Sequence, residues 1–482
     1  MLDAAQHIHF IGIGGIGMSG LARILLSHGK RVSGSDIKDN VQTRALKKQG
    51  AQVFLSQSAE NISPQTECVV ISTAIQESNP ELRRARELNL PVLHRSDVLR
   101  YVLEVSRGIA ITGTHGKTTT SALMSLVLME QNLDPTIVIG GQIPQLGTNA
   151  HAGAGEYTVA EVDESDQSLR KLTSEIVLIT NLEVDHLDHY SGLDEILEAV
   201  LEFLSHQPEH GRIVFNLDDA GVQQLLTRMP EAYRERYVSF GINNSQADYN
   251  VTSINNLPRA SRFEVQHQGQ SLGSFEIGIP GNHNVYNALS VLATAHDMGL
   301  NMSKVAPSLA GYQGVNRRFQ LMGEMPGSVS VIDDYAHHPS EIRATLETAR
   351  LQDKYITAVF QPHRYSRTQG LLKDFAQAFA HADRIIFTDI YAASENPLDY
   401  DITIQHLVHA AQVANPQKDV LFFSAFEDIA QYVNDHFVPN SLLLTMGAGN
   451  ISQLSQLLLG KSESAPESTK PVLKVSHVKV AS

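Results

Sequence analysis

Short apolar runs recur along the chain, each followed by a helical stretch. "HIHFIGI", "CVVIS" and "PVLH" fall between residue 7 and about residue 107. Such runs with helices between them predict βαβ units on a parallel sheet. A second series opens at "RGIAITG" and continues through "EYTVAEVD", "EIVLITN" and "GRIVFNLDD". From about Asp248 to Pro280 it gives way to the alternating "FEVQHQGQSLGSFEIGI", which predicts antiparallel strands. A third series, "SVSVIDDY", "KYITAVFQ", "DRIIFTDI" and "SLLLTMGAG", starts near Val315. The stretch after Gly460 is polar, has neither period and is predicted to be a disordered tail. The pattern thus predicts an α/β chain of three domains, 1–107, 108–314 and 315–460, with a tail over 461–482.

Composition agrees with this division. At roughly 150 residues per domain, 482 residues make three domains, and 42% apolar with 18% charged residues is ordinary for globular chains. The net charge of -15, from 52 acidic and 37 basic residues, lacks the basic footprint of a nucleic-acid binder. Cys68 is the single cysteine, so no internal disulfide forms, and its strand setting marks it as a small buried hydrophobe that suits a reducing cytosol. "MLDAAQHIHFIG" has no signal-peptide pattern, and no apolar run is long enough to span a membrane. The expectation is a cytoplasmic protein with no membrane partner.

Two glycine-rich turns carry candidate chemistry. In "IGIGGIGMSG", Gly12, Gly14 and Gly17 follow a strand and precede a helix predicted to start near Met18. Backbone N–H groups there can reach a diphosphate at the helix N-terminus, and Asp36 stands where an acidic residue would meet a ribose. Alone, this motif reads as a nicotinamide or flavin site. In "IAITGTHGKTTT", Gly113, Thr114, His115, Gly116, Lys117, Thr118 and Thr119 make a phosphate loop two residues shorter than G-x-x-x-x-G-K-[ST]. Backbone N–H groups and Lys117 still converge on a polyphosphate, and Thr118 offers a hydroxyl to Mg2+.

The second turn resembles the short phosphate loop of the Mur ligases and the folylpolyglutamate synthetases. "AEVDESD", "NLEVDHLDHY", "GNHNVYNALSVLA", "GVNRRF", "DDYAHHPSEI" and "FQPHRYSRT" follow it in the order and spacing of the alanine-adding Mur ligases, over about residues 7 to 458. The resemblance implies ATP-dependent joining of L-alanine to the lactyl carboxylate of UDP-N-acetylmuramate through an acyl phosphate, in peptidoglycan synthesis. It implies a Rossmann-like UDP-binding domain, a central ATPase-type domain with a parallel sheet plus small antiparallel strands, and a Rossmann-like C-terminal domain. The alternatives are a recycling ligase that attaches a preformed tripeptide and a non-catalytic nucleotide sensor.

Residue roles follow from the same resemblance. Lys117 neutralises the β- and γ-phosphates, and Thr118, Glu161 and His186 hold Mg2+. Residue chemistry alone would suggest zinc for "DHLDH", since hard cations prefer oxygen. Sister ligases carry a carbamoylated Lys about fifteen residues past this His, where this chain has none; Glu195, Glu198 and Glu202 are the candidates for a second ion. Asn284 and Asn287, at helical i, i+3 spacing, face the adenine. Arg318 and Asp334 address the nucleotide, with Arg317 a solvated neighbour and Asp333 and His338 structural. Tyr335, His337, His363, Arg364 and Arg367 address acceptor and alanine, His337 and Arg364 among the catalytic set with Lys117, Glu161 and His186. In the first domain Gly14, Gly15, Ile16 and Gly17 meet the diphosphate of the UDP-sugar, and Asp36, Ser72, Thr73, His94 and Arg95 the uridine side. The expected assembly is a monomer or weak homodimer, with hinge closure near Gly314 to Arg318.

Overall fold

The computed structural model describes residues 2–164, 168–185, 190–393 and 395–460. His186 and the tail 461–482 lie outside these residues. Three sheets follow one another along the chain. The first is fully parallel, in the order Gln52–Phe54, Arg31–Ser35, His7–Ile11, Cys68–Ile71, Val92–His94. The chain winds outward from His7–Ile11 in both directions, so the turn at Gly12 to Gly17 sits where an open α/β sheet forms its ligand crevice. The helix after it spans Ile16–Ser27, two residues earlier than predicted, because Gly15 is already its N-cap.

The central sheet has ten strands. Its parallel part runs Tyr237–Gly241, Arg212–Asn216, Ile176–Ile179, Arg107–Thr112, Tyr157–Glu161, Thr136–Ile143. The alternating segment forms the antiparallel strands Tyr249–Asn256, Ser261–His267 and Gln270–Ile277 at one edge. At the other edge Thr136–Ile143 pairs antiparallel with Thr148–His151, a hairpin the sequence pattern did not announce. The third sheet is parallel apart from its edge strand Gln320–Met325, in the order Gln320–Met325, Val329–Asp334, Leu442–Met446, Ile356–Phe360, Arg384–Phe387, Asp419–Phe422. The predicted α/β class with three domains is the observed one. Among the described residues no helix is long and apolar enough to cross a membrane.

The cores group these sheets unequally. One apolar cluster runs without a break from Leu2, Phe10 and Leu25 of the first sheet to Val177, Phe203 and Met229 of the second. Gly20 lies against Ala150, and Asn149 donates to the Ile16 carbonyl, so the first glycine turn rests on the central hairpin. The third sheet has its own two clusters, built from residues after Phe319. Its seam with the central domain includes the polar contacts Arg367–Asp185, Ser340–Glu183 and His115–Glu341. Apolar burial favours permanent association, whereas a seam held by ion pairs and hydrogen bonds leaves domains freer to move.

Candidate functional site

Three adjacent strands of the central sheet end side by side, which brings their following residues to one edge. Arg107–Thr112 leads into Gly113 to Thr118, Tyr157–Glu161 ends on Glu161, and Ile176–Ile179 leads into Thr180 to Asp185. The phosphate loop is pinned between its neighbours: His115 N donates to Asn181 Oδ1 at 2.8 Å and Thr180 Oγ1 donates to the His115 carbonyl at 2.6 Å. Gly116 has φ +82°, and a Cβ there would stand 2.5 Å from Asn287 Oδ1. Only glycine admits both the left-handed backbone and that close approach.

Lys117 opens the helix Lys117–Glu130 and folds back over the loop, donating to the carbonyls of Gly113 at 2.6 Å and Thr114 at 3.2 Å and to Glu164 at 3.0 Å. Burial disfavours its charge, but Glu164, Asp163 and Glu161 outweigh that and raise its pKa. Thr118 Oγ1 donates to Glu161 Oε1 at 3.0 Å, and Gly140 N holds Glu161 Oε2 at 2.8 Å. A hydroxyl and a braced carboxylate this close form a hard-oxygen pair that fits Mg2+.

Beside the loop lies a cavity of about 280 Å³ lined by His115, Thr119, Asn284, Asn287, Arg318 and Asp334 among others. Asn284 and Asn287 are buried on the helix Asn282–Asp297, and Asn287 donates to Asn284 Oδ1 at 3.3 Å. Asp334, at the end of its strand, accepts from Phe319 N at 2.8 Å and Ala336 N at 2.7 Å; burial pushes its carboxyl up to about 6. Arg318 lies 5.2 Å from the Tyr335 ring. His283, which the sequence left unassigned, also lines the cavity and is kept neutral, with burial and Arg318 lowering its pKa to about 4.

Across the seam the third domain gathers Tyr335, His337, His363 and Arg367. The His337 ring lies 5.2 Å from Tyr335 and 5.9 Å from His363, and His363 Nδ1 is 3.3 Å from Arg367 Nη1. Burial, His337 and Arg367 lower the His363 pKa to about 3, leaving it neutral. Arg364 caps the helix Tyr365–Gly370 with φ +71°, a left-handed conformation costly for a side chain with a Cβ. Tyr391, absent from the sequence reading, stacks on His363 at 5.5 Å.

The first-domain candidates lie around their own sheet's crevice. Gly14 N donates to Asp36 Oδ2 at 2.9 Å, so Asp36 braces the glycine turn. Ser72 and Thr73 follow the strand Cys68–Ile71; His94 ends Val92–His94, and its Nδ1 lies 2.7 Å from Ser96 Oγ at the start of the next helix. Arg95 reaches over the turn, with a guanidinium nitrogen 3.8 Å from where a Gly17 Cβ would be.

Several expectations change. Arg317 is no solvated neighbour: it is half-buried, pairs with Asp333 at 3.1 Å and donates to the Gly447 carbonyl at 2.6 Å, tying the inter-domain junction to the third sheet. Glu195 accepts from Ser191, Glu202 pairs with Arg170 at 2.7 Å and Glu198 is exposed, so local partners or solvent take the acids proposed for a second ion. His338 is buried and caps the helix Pro339–Arg350. His115, Glu183 and His338 place ligand atoms within 4.8 Å of one another. His115 Nδ1 lies 3.3 Å from Glu341 Oε1 and Glu183 Oε2 accepts from Ser340, so ion pairs and hydrogen bonds knit the cluster together; against burial, Glu183 and Glu341 push the His115 pKa up to about 9. Glu183 and Asp185, and the contact of Glu341 with His115, gave no sequence signal, because these partners lie 157 to 226 residues away.

Comparison with known proteins agrees with this arrangement. Residues 7–107 match the model of the Mur ligase family catalytic domain, 111–295 that of the Mur ligase middle domain, and 317–449 that of the Mur ligase glutamate ligase domain. UDP-N-acetylmuramate–L-alanine ligase of Geobacter sp. is 41% identical over 97% of this chain and 100% of its own length. The same-named protein of Pelotomaculum thermopropionicum is 43% identical over 93% of this chain and 96% of its own. The solved UDP-N-acetylmuramate-alanine ligase of Thermotoga maritima superposes with a TM-score of 0.77 at 29% identity, covering 94% of this chain and 98% of that one. With all three sheets matched in order and full-length relatives above 40% identity, the chain belongs to the Mur ligase family.

Proposed function

We propose that this protein joins L-alanine to the lactyl carboxylate of UDP-N-acetylmuramate, converting ATP to ADP and phosphate. The observation that carries the reading is that the seam joining the phosphate loop of Lys117 and Thr118, with Glu161 on the next strand, to the third domain is bridged by His115–Glu341 and by Asp185–Arg367 of the imidazole–guanidinium cluster. The full-length relatives that bear this activity in their names favour it over attachment of a tripeptide. The division of labour is UDP-sugar on residues 1–107, ATP and Mg2+ on 108–314, and the amino acid on 315–460.

A carboxylate resists attack by an amine, so a carboxylate oxygen first bonds to the γ-phosphorus as ADP leaves. The amine then attacks the acyl carbon, phosphate departs with the carboxylate oxygen and the amine loses a proton. Lys117 offsets charge on the transferred group, and the loop's amides orient it. Thr118 and Glu161, with His186, are the proposed Mg2+ ligands; when bound, the ion neutralises phosphate charge. Asn284, Asn287, Arg318 and Asp334 hold the nucleotide. Tyr335, His337, His363, Arg364 and Arg367 orient the acceptor and the alanine carboxylate, for which a guanidinium fork is the fitting partner.

The deciding experiment is phosphate release from MgATP with UDP-N-acetylmuramate, with and without L-alanine, for wild type and Lys117→Ala. Alanine-dependent release lost in the variant supports the reading. Release that requires a tripeptide replaces it with the recycling activity, and no release with any acceptor replaces it with a nucleotide sensor.

A further inference from the structure

Glu341 sits at the third position of the helix Pro339–Arg350 and forms a capping box with His338. That role occupies one oxygen: Oε2 accepts from His337 N at 2.9 Å and His338 N at 3.3 Å. The other faces outward. Oε1 lies 3.3 Å from His115 Nδ1 of the phosphate loop and 3.5 Å from Arg318 Nη1 at the junction between central and third domains. The Glu341 side chain is 11% exposed and lines the nucleotide cavity. A capping box needs only one carboxylate oxygen, so capping leaves the second oxygen, and the charge it shares with the phosphate loop, unexplained.

We infer that Glu341 is a positioning residue that links closure of the third domain to the phosphate loop, drawing His115 and Arg318 together across the nucleotide cavity. His115 comes from the central domain and meets two carboxylates, Glu183 on its own side and Glu341 on the other, at 3.6 and 3.3 Å. Withdrawal of the third domain strips it of the second carboxylate, while Arg318, flanked by Arg317 and Phe319 that are bound to the third sheet, travels with Glu341. Glu341 touches no transferring atom. It acts through His115 on the loop that receives the phosphates, and through Arg318 on the wall beside the adenine-side asparagines.

The inference rests on the proposed ATP site, so one of its readouts requires no ATP. The full chain is studied as wild type, Glu341→Gln, His115→Gln and the double variant. Glu341→Gln keeps a capping oxygen and the side chain's shape but removes the charge. Without nucleotide, small-angle scattering at a temperature where both proteins are fully folded should show a larger radius of gyration for Glu341→Gln than for wild type. With MgATP, UDP-N-acetylmuramate and L-alanine, KM for ATP should rise about tenfold, and the double variant should be no worse than either single one. Equal scattering profiles, equal KM for ATP or additive losses in the double variant would overturn it. If Glu341→Gln does not fold, His115→Gln alone must reproduce the expansion and the rise in KM, and failure to do so overturns the inference. Expansion with no ATP turnover in any protein would instead count against the ligase reading and leave the closure link standing.

Discussion

Arg367 of the third domain and Asp185 of the central domain form an ion pair of 2.9 Å in which both side chains are only 7% exposed. Breaking a buried pair by removing one partner costs about 3–5 kcal/mol, because the other charge is left uncompensated. The pair spans a seam, so the protein can relieve that cost by opening. Arg367→Ala is expected to expand the molecule in small-angle scattering without a matching loss of melting temperature, and an unchanged profile would remove this pair from any part in closure.

Gly116 offers a sharper test of the phosphate loop. Alanine there must adopt φ +82° and place a Cβ 2.5 Å from Asn287 Oδ1. The left-handed backbone alone costs about 1–2 kcal/mol, and displacing Asn287 disturbs the proposed adenine side. Gly116→Ala should lower kcat/KM for ATP by at least about tenfold, with KM for L-alanine little changed. Wild-type kinetics would show that the loop tolerates a side chain.

The charged seam predicts a pH dependence. His115 titrates at about 9 in the folded protein against 6.5 as its ordinary value. A raised imidazole contributes stability that is fully present below pH 6.5 and lost as pH climbs through 9. At about 1.4 kcal/mol for each pH unit between the two values, its share is about 3 kcal/mol. Burial would raise the Glu183 carboxyl, yet His115 and Ser340 hold it down at about 2, so its contribution stands above pH 4.5 and fails only in strong acid. Urea midpoints should fall between pH 6.5 and 9.5 in wild type and fall less in His115→Gln; parallel curves would dismiss the assignment.

Selectivity for the amino acid should be incomplete. Loss of one methyl group is worth about 1–3 kcal/mol in a well-fitted pocket. Glycine should therefore support phosphate release with kcat/KM about tenfold to two-hundredfold below that of L-alanine. Undetectable release with glycine at saturation would point to discrimination beyond contact with the methyl group.

Features written in neighbouring residues were legible before the fold was known. The phosphate loop could be read because a strand, two glycines, Lys117 and the following helix are contiguous. The alternating run before Pro280 declared its antiparallel strands for the same reason. Thr136–Ile143, one strand in from the edge of the central sheet, and Gln320–Met325, at the edge of the third, were missed: both are interrupted by glycine and neither alternates regularly between buried and exposed positions. Glu341 could be suspected as a helix cap from "HHPSE", but nothing local shows that its second oxygen meets a residue 226 positions earlier. Arg317 looked solvated because its partners, Asp333 and Gly447, come from two strand ends that only the sheet order makes neighbours.

The unequal sharing of cores bears on how the polypeptide acquires its shape. The apolar cluster joining the first two sheets reaches from Leu2 to Met229, whereas the third sheet's clusters begin after Phe319. The chain therefore has two cooperative folding units for its three sheets. During synthesis the first unit lacks part of its interior until Val315 has left the ribosome, because the other apolar cluster of the central sheet runs from Ile109 to Val315, while the second unit condenses later and independently. Calorimetry should record two transitions, and protease nicking between residues 314 and 318 should release a C-terminal fragment that keeps its own structure.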